Sequence, residues 1–492
     1  MSIARASSIL VALWCATASA GVRRPAWPEA PRAQRRAPEK AQPGAVAALD
    51  ASPRARAARL AIERLLRSAP LRGVRFGVVA ADAATGAEWV RANPDVDLVP
   101  ASTMKLVTSA AALDRLGPDR VFTTEVRVAG DAVYIRGGGD PVLTTKDLDA
   151  LAADVAPALG DGVDRVVVDA TLFGGGDLPP GYDAKDTDAA YRAATPALAV
   201  EYGGVQVDVL PSAEGKPPKV VTAPGGGYVE VQNEARTVAG SASTIRVRLE
   251  RHGSRSRAVV TGRIGRRRTK PVWVWRRVES PSLAAGYAFK ELLAAHGHPL
   301  SGPVELGTTP ASARTVARHE SPPLRAILRT MNKDSNNFIA EMLLRALVGA
   351  PTATWEDGRR LVRAWLVGQV GFTEGTFTYK NGSGLYDGGK LTARQLVRLV
   401  VFMQGHRHAG AWRDSLAVSG VDGTLKGRLS GRARGRVLGK TGTLDEVSAL
   451  CGLARSRSGR SVAFAVVMNG SPALKQMRRL QDQIATILLD AK

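Results

Sequence analysis

Cysteine is almost absent: the 492 residues contain two, Cys15 and Cys451. Cys15 lies in an N-terminal segment that reads as a removable leader, which leaves Cys451 alone in the mature chain, so no intrachain disulfide can form even in an oxidising compartment. Stability must come from packing. No run of ~20 apolar residues exists to span a bilayer, which excludes an integral membrane segment. Histidine is scarce too. Its six copies stand alone or as His296-Gly297-His298 and His406-Arg407-His408, with no acid at a ligand-like spacing, so no metal and no other cofactor is expected. Acidic residues are the minority charge, 45 against 68 Lys plus Arg, giving a net +23 that favours association with polyanions. Nucleic-acid binding would want aromatics interleaved with the basic residues, and aromatics make up only 5%. The stretch from Arg266 to Arg277, with Trp273 and Trp275, alone has that look, and its alternation reads as a two-faced strand with solvated arginines. No nucleic-acid partner is expected.

What is present is a chain with 45% apolar and 23% charged residues, long enough for about two to three domains. Arg5, the apolar stretch from Ile9 to Ala16, and Ala18-Ser19-Ala20 form a secretory signal over residues 1–20, which predicts an exported, periplasmic or envelope-associated protein. Trp14 before Cys15 argues against a lipid anchor there. Residues 21–56 are Ala, Pro and Arg without apolar periodicity and read as a disordered tail. Order begins near Leu60 with a short amphipathic helix.

Gly77 to Asp82 reads as a strand, and Leu98-Val99-Pro100-Ala101 leads into Ser102, after which Met104, Val107, Ala111 and Leu113 stripe a helix that Gly117-Pro118 stops. Ser102 is thus expected at a helix N-terminus, where free N–H groups and the positive dipole end stabilise developing negative charge. Lys105, three residues on, shares its face, giving nucleophile and base in one turn. Ser-x-x-Lys alone is a weak sign, since a chain of this length holds on the order of one by chance and Ser102 could equally be a cap. Two further motifs follow in order. Ser335-Asn336-Asn337 comes after Met331-Asn332-Lys333-Asp334 and before a helical run, Phe338 to Leu347. Lys440-Thr441-Gly442-Thr443 precedes two apolar runs, Val447 to Ala454 and Val462 to Met468, which read as a hairpin of a central sheet. An extended substrate could lie along that strand edge with its terminal carboxylate held by Lys440 and the Thr441 and Thr443 hydroxyls, Gly442 allowing close approach. A phosphate-binding loop is the competing reading of Gly435 to Thr441, but that stretch is one residue short, and Gly384 to Lys390 ends in Leu391 where a hydroxyl is needed.

Pro100-Ala101-Ser102-Thr103-Met104-Lys105, Gly137-Gly138-Gly139-Asp140-Pro141, Met331 to Asn337, Ser419-Gly420-Val421-Asp422-Gly423-Thr424-Leu425 and Gly439-Lys440-Thr441-Gly442-Thr443 together resemble the D-alanyl-D-alanine carboxypeptidase/endopeptidase family S13, the DacB or penicillin-binding protein 4 type. The resemblance implies an α+β fold: a transpeptidase-like domain, an antiparallel sheet flanked by helices, in two chain segments (residues 57–121 and 280–492) with β-rich domains inserted at 122–279. It implies a penicillin-sensitive serine carboxypeptidase or endopeptidase acting on peptidoglycan peptides, with β-lactam antibiotics as covalent inhibitors. Ser102 would be acylated, Lys105 the base, Ser335 a proton relay, and Asn337 would orient the substrate amide. Backbone N–H groups of Ser102 and Thr443 would hold the oxyanion. A β-lactamase or esterase using the same residues, and a non-catalytic wall-binding scaffold, are the alternatives. Carboxypeptidase against endopeptidase action and oligomeric state stay open. Asn381-Gly382-Ser383-Gly384-Leu385-Tyr386-Asp387 departs from the family pattern, placing an acid where an arginine is common, which puts the expected side-chain preference for diaminopimelate in question.

Overall fold

The computed structural model describes residues 49–69, 71–386, 388–456, 459–470 and 474–490. The expected signal segment, the tail up to residue 48, and Asp387 lie outside them. Helix α1 (Pro53–Ser68) begins inside the expected tail, because Ser52 caps it by accepting from Ala55 N and Pro53 sits at the first helical position, where no N–H is needed. It buries Ala55, Ala58 and Ile62.

Strands β1 (Arg75–Asp82) and β2 (Glu88–Ala92) follow, then a single 3-10 turn, Ala101–Met104, and α2 (Lys105–Leu116). Ser102 therefore lies in that turn rather than in the α-helix itself. Every residue of α2 from Lys105 to Leu113 is buried, so this helix runs through the core, and Gly117, at φ 76, ends it as expected.

The inserted region opens with the hairpin β3 (Thr123–Ala129) and β4 (Ala132–Arg136), then α3 (Thr145–Val155) and β5 (Arg165–Asp169). A capping box between Thr144 and Asp147 starts α3. Eight short strands come next: β6 (Gly204–Leu210), β7 (Lys219–Ala223), β8 (Val229–Asn233), β9 (Arg236–Val238), β10 (Arg246–His252), β11 (Arg255–Thr261), β12 (Arg263–Gly265) and β13 (Val272–Arg277). They close on their own core of Val205, Val207, Val247, Ala258, Val260 and Ile264. After α4 (Pro281–Ala295), strands β14 (Val304–Leu306) and β15 (Arg314–Glu320) return to pair with β5 and β3, completing a five-stranded sheet ordered β14-β5-β4-β3-β15. Strands β14 and β15 thus lie beyond residue 279, the expected end of the insert, and pair with strands before it. Helices α3 and α4 cover one face of that sheet through Leu148, Leu151, Val155, Ala285, Phe289 and Leu293. Strand β14 pairs with β5 from Val304 to Val166 and β15 with β3 from Arg314 to Val128, pairings that no local pattern announces.

The rest of the chain supplies α5 (Leu324–Lys333), α6 (Asn337–Ala346), α7 (Trp355–Trp365), α8 (Ala393–Gly405), α9 (Ala409–Ser415), β16 (Ala417–Val418), β17 (Val437–Leu444), β18 (Val447–Arg455), β19 (Ser461–Asn469) and α10 (Leu474–Asp490). The central sheet runs β16-β17-β18-β19-β1-β2, antiparallel throughout. Helices cover both faces, which is why β18 and β19 read as near-continuous apolar runs instead of alternating. On one face Met477, Leu480, Ile484 and Leu488 of α10 meet Val78, Ala80, Phe464 and Val466, each large buried side chain contributing roughly 1.5–3 kcal/mol. On the other, Gly77 lies against Ala393 at the start of α8.

Candidate active site

Three stretches, each at the end of a rigid element, meet at the edge of this sheet. The first is the turn before α2. Ala101, at φ 47, breaks the approaching chain and sets up the turn that carries Ser102, while Thr103 Oγ1 donates to Pro100 O at 2.7 Å. Lys105 opens α2 with no solvent exposure, and its Nζ lies 3.0 Å from Ser102 Oγ, 2.6 Å from Asn337 Oδ1 and 2.8 Å from Ser383 O. A neutral amine has two hydrogens and one lone pair. The amide oxygen and the carbonyl take the hydrogens, and the lone pair is left facing the serine hydroxyl. Burial, and then the positive Lys440, hold the Lys105 ammonium well below the ordinary lysine range, opposed by Glu341.

The second stretch is the turn between α5 and α6. Ser335 adopts φ 58, and Asn336 caps α6 by accepting from Ile339 N at 3.1 Å. Asn337 then stands at the first helical position with its amide oxygen on Lys105, and its Nδ2 donates to Tyr191 O of the insert at 3.1 Å. The turn is anchored from below: Lys333 Nζ reaches Asp422 at 2.7 Å and donates to Leu416 O at 2.9 Å. Through Asp422 the Ser419 to Leu425 stretch holds Lys333 at the end of α5.

The third stretch is β17. Lys440 is fully buried and its Nζ lies 2.8 Å from Ser335 Oγ and 2.8 Å from Thr441 O. Burial lowers its pKa to about 7, with Asp334 pulling the other way. Strand β16 pairs with β17 only at Leu438 and Gly439, so among the described residues the edge from Lys440 to Leu444 has no strand partner on that side. Gly442 is obligatory here, because a Cβ would sit 2.6 Å from Pro100 O beside the nucleophile turn. Thr441 is half-buried and Thr443 exposed, and Arg478 of α10 donates to Thr443 Oγ1 at 3.3 Å.

Residues 58–490 match the model of the D-Ala-D-Ala carboxypeptidase 3 (S13) family. The chain belongs to that family. It is 37% identical over 460 residues to a D-alanyl-D-alanine carboxypeptidase of Actinomadura sp. (strain R39), covering 87% of this chain and 84% of that one. Identity to carboxypeptidase DacB of Mycolicibacterium smegmatis is 29% over 418 residues, 79% and 75% of the two chains. In fold it matches penicillin-binding protein 4 (DacB) of Haemophilus influenzae with a TM-score of 0.71 at 23% identity, over 86% of this chain and 99% of that one. The H. influenzae protein has also been solved in complex with a β-lactam.

Within this S13 frame, every site residue expected from the motifs takes part in the cluster or lines its strand edge. The Gly137 to Pro141 stretch instead packs inside the insert, where Asp140 faces His319 at 3.6 Å. Four participants were not anticipated: Ser383, Glu341, Tyr182 and Tyr191. Fully buried Tyr182 places its hydroxyl 3.0 Å from Ser383 Oγ and stacks edge-on against Tyr386 at 5.8 Å. The insert also reaches across the open strand edge through the Lys185–Asp445 ion pair at 2.8 Å. Glu341 did leave a signal, an acid four residues after Asn337 inside an apolar helical run, hence on the same helix face. Ser383 left only its place in the Asn381 to Asp387 stretch.

Proposed function

We propose that Ser102 is the acylated nucleophile of this enzyme and that Lys105 is its base. The chain is a serine-type D-Ala-D-Ala carboxypeptidase of the penicillin-binding kind, acting on peptidoglycan peptides. The single observation that carries the residue assignment is the Lys105 Nζ within 3.0 Å of Ser102 Oγ while both its hydrogens are engaged elsewhere. Neutral Lys105 takes the Ser102 proton as the oxygen attacks the penultimate D-Ala carbonyl. The tetrahedral oxyanion is received by the backbone N–H groups of Ser102 and Thr443. Collapse breaks the peptide C–N bond, and Ser335, bonded to Lys440, relays a proton to the departing D-Ala amine. Water then hydrolyses the acyl-enzyme and returns the proton to Ser102. Lys440, Thr441 and Thr443 hold the terminal carboxylate along the free strand edge, Gly442 keeps that edge close to the turn, and Asn337 orients the substrate amide.

Export to the periplasm or cell envelope, on the strength of the N-terminal leader pattern, and a catalytic domain split around an insert at 122–320 belong to the same proposal. No helix among the described residues is long and apolar enough to cross a membrane. The test is to digest purified cell wall: free D-alanine marks carboxypeptidase action and cleaved cross-bridges endopeptidase action, while neither product would remove the reading. The penicillin adduct separates the nearest alternative, being long-lived for a peptidase and turned over within seconds for a β-lactamase.

A further inference from the structure

Glu341 is wholly buried one turn beyond Asn337 on α6, and an ionisable side chain in such a place is costly unless its partners compensate. Its two backbone partners belong to one turn. Gly382 N donates to Oε2 at 3.1 Å and Ser383 N to Oε1 at 2.8 Å, with the Tyr182 hydroxyl 3.5 Å from Oε1. Ser383 is the residue whose carbonyl accepts from Lys105 Nζ at 2.8 Å. The same turn is locked from the other side, since Gly384, at φ 73, packs so tightly on Ala101 that a Cβ would collide with its carbonyl. Lys105 thus has one acceptor supplied directly by α6, Asn337, and a second held in place by α6 through Glu341.

We propose that Glu341 is a positioning residue for acylation: it fixes the turn that presents the Ser383 carbonyl to Lys105, and its negative charge steadies the Lys105 ammonium formed when the Ser102 proton moves. This rests on the reading of Lys105 as base. In that step the Ser102 O–H bond breaks, a Lys105 N–H bond and a Ser102 O–C bond form, the substrate C=O π bond opens to the oxyanion, and Glu341 neither gains nor loses a proton. The charged and titratable groups around the pair are few: Lys440 and Glu341 act on Lys105, while Lys105, Tyr182, Tyr379 and Arg345 surround Glu341. Burial pushes the Glu341 carboxyl up, and the Ser383 and Gly382 donors and Lys105 pull it back.

The test measures the second-order rate of penicillin acylation against pH for the full chain, Glu341→Gln and Glu341→Asp, each checked by its melting curve. For Glu341→Gln the rate falls about ten- to a hundredfold. Its acid limb also moves to lower pH, because removing a negative charge lowers the Lys105 pKa. Glu341→Asp keeps the charge and so keeps the limb, with a smaller loss of rate from the shortened reach. A Glu341→Gln enzyme with an unshifted limb, whatever its rate, would reduce Glu341 to a structural role and overturn the proposal. Should neither variant fold, Tyr182→Phe loosens the same turn without touching the charge. A severalfold slower rate at an unmoved limb is then expected, and an unchanged rate contradicts the positioning role. Lys105→Ala separates the two levels: if it acylates at the parent rate, the base assignment fails, whereas a dead Lys105→Ala beside an unaffected Glu341→Gln sinks only the present inference.

Discussion

At the scale of single residues, two buried lysines divide the chemistry. Lys105 must be neutral to accept a proton, and Lys440 must be charged to hold a carboxylate; both are desolvated, and the charge of Lys440 further disfavours the Lys105 ammonium. Lys105→Ala is expected to lower penicillin acylation by about a thousandfold or more without unfolding the chain, measured by adduct formation over time. Lys440, with its pKa brought to about 7, is cationic at pH 6 and neutral at pH 9. The KM for a peptide with a free terminal carboxylate therefore rises across that window, while the amidated peptide shows no such rise. The sign for stability is fixed by the same shift. Between about 7 and the ordinary 10.5 the unfolded chain binds a proton that the folded chain does not, so Lys440 makes stability increase with pH there.

At the scale of elements, the site depends on where helices begin and strands end. Asn336 sits at the N-cap of α6 and so decides the direction in which Asn337 leaves the turn. Asn336→Ala should cost about 1 kcal/mol of stability in a denaturant melt, and should slow acylation as well, because Asn337 loses its fixed approach to Lys105. The motif-bearing elements were legible in the sequence: the nucleophile helix, the helix after Ser335 and the two apolar strands after Thr443 all stand where apolar spacing and stop signals put them. What was not legible is contact made through space. Ser383 and Glu341 stand 42 residues apart and act only because a turn folds back on α6. Strands β14 and β15 lie beyond α4, so nothing local marks them as partners of β5 and β3. The start of α1 was missed for a different reason, since its Pro, Ala and Arg content resembles the tail that precedes it.

At the scale of the whole molecule, the insert and the catalytic helices are joined by a buried arginine. Arg345 of α6 lies between the Phe173 ring of the insert at 4.4 Å and the Trp355 ring at 3.9 Å, donating to Gly176 O and Thr195 Oγ1 at 3.0 Å each. Arg345→Ala leaves those acceptors and rings without a partner, and a loss of about 3 kcal/mol is expected in equilibrium unfolding. Its two acceptors, Gly176 and Thr195, flank the segment that carries Tyr182 and Tyr191, so acylation should slow in parallel with the loss of stability. The central claim, that one serine takes the acyl group with a buried lysine as its base, is tested most directly by intact-mass analysis after incubation with penicillin, followed by peptide mapping. The expected result is one added penicillin per chain, carried by Ser102 and abolished in Ser102→Ala. An adduct on any other residue, or none while the wild-type fold is retained, would contradict the account.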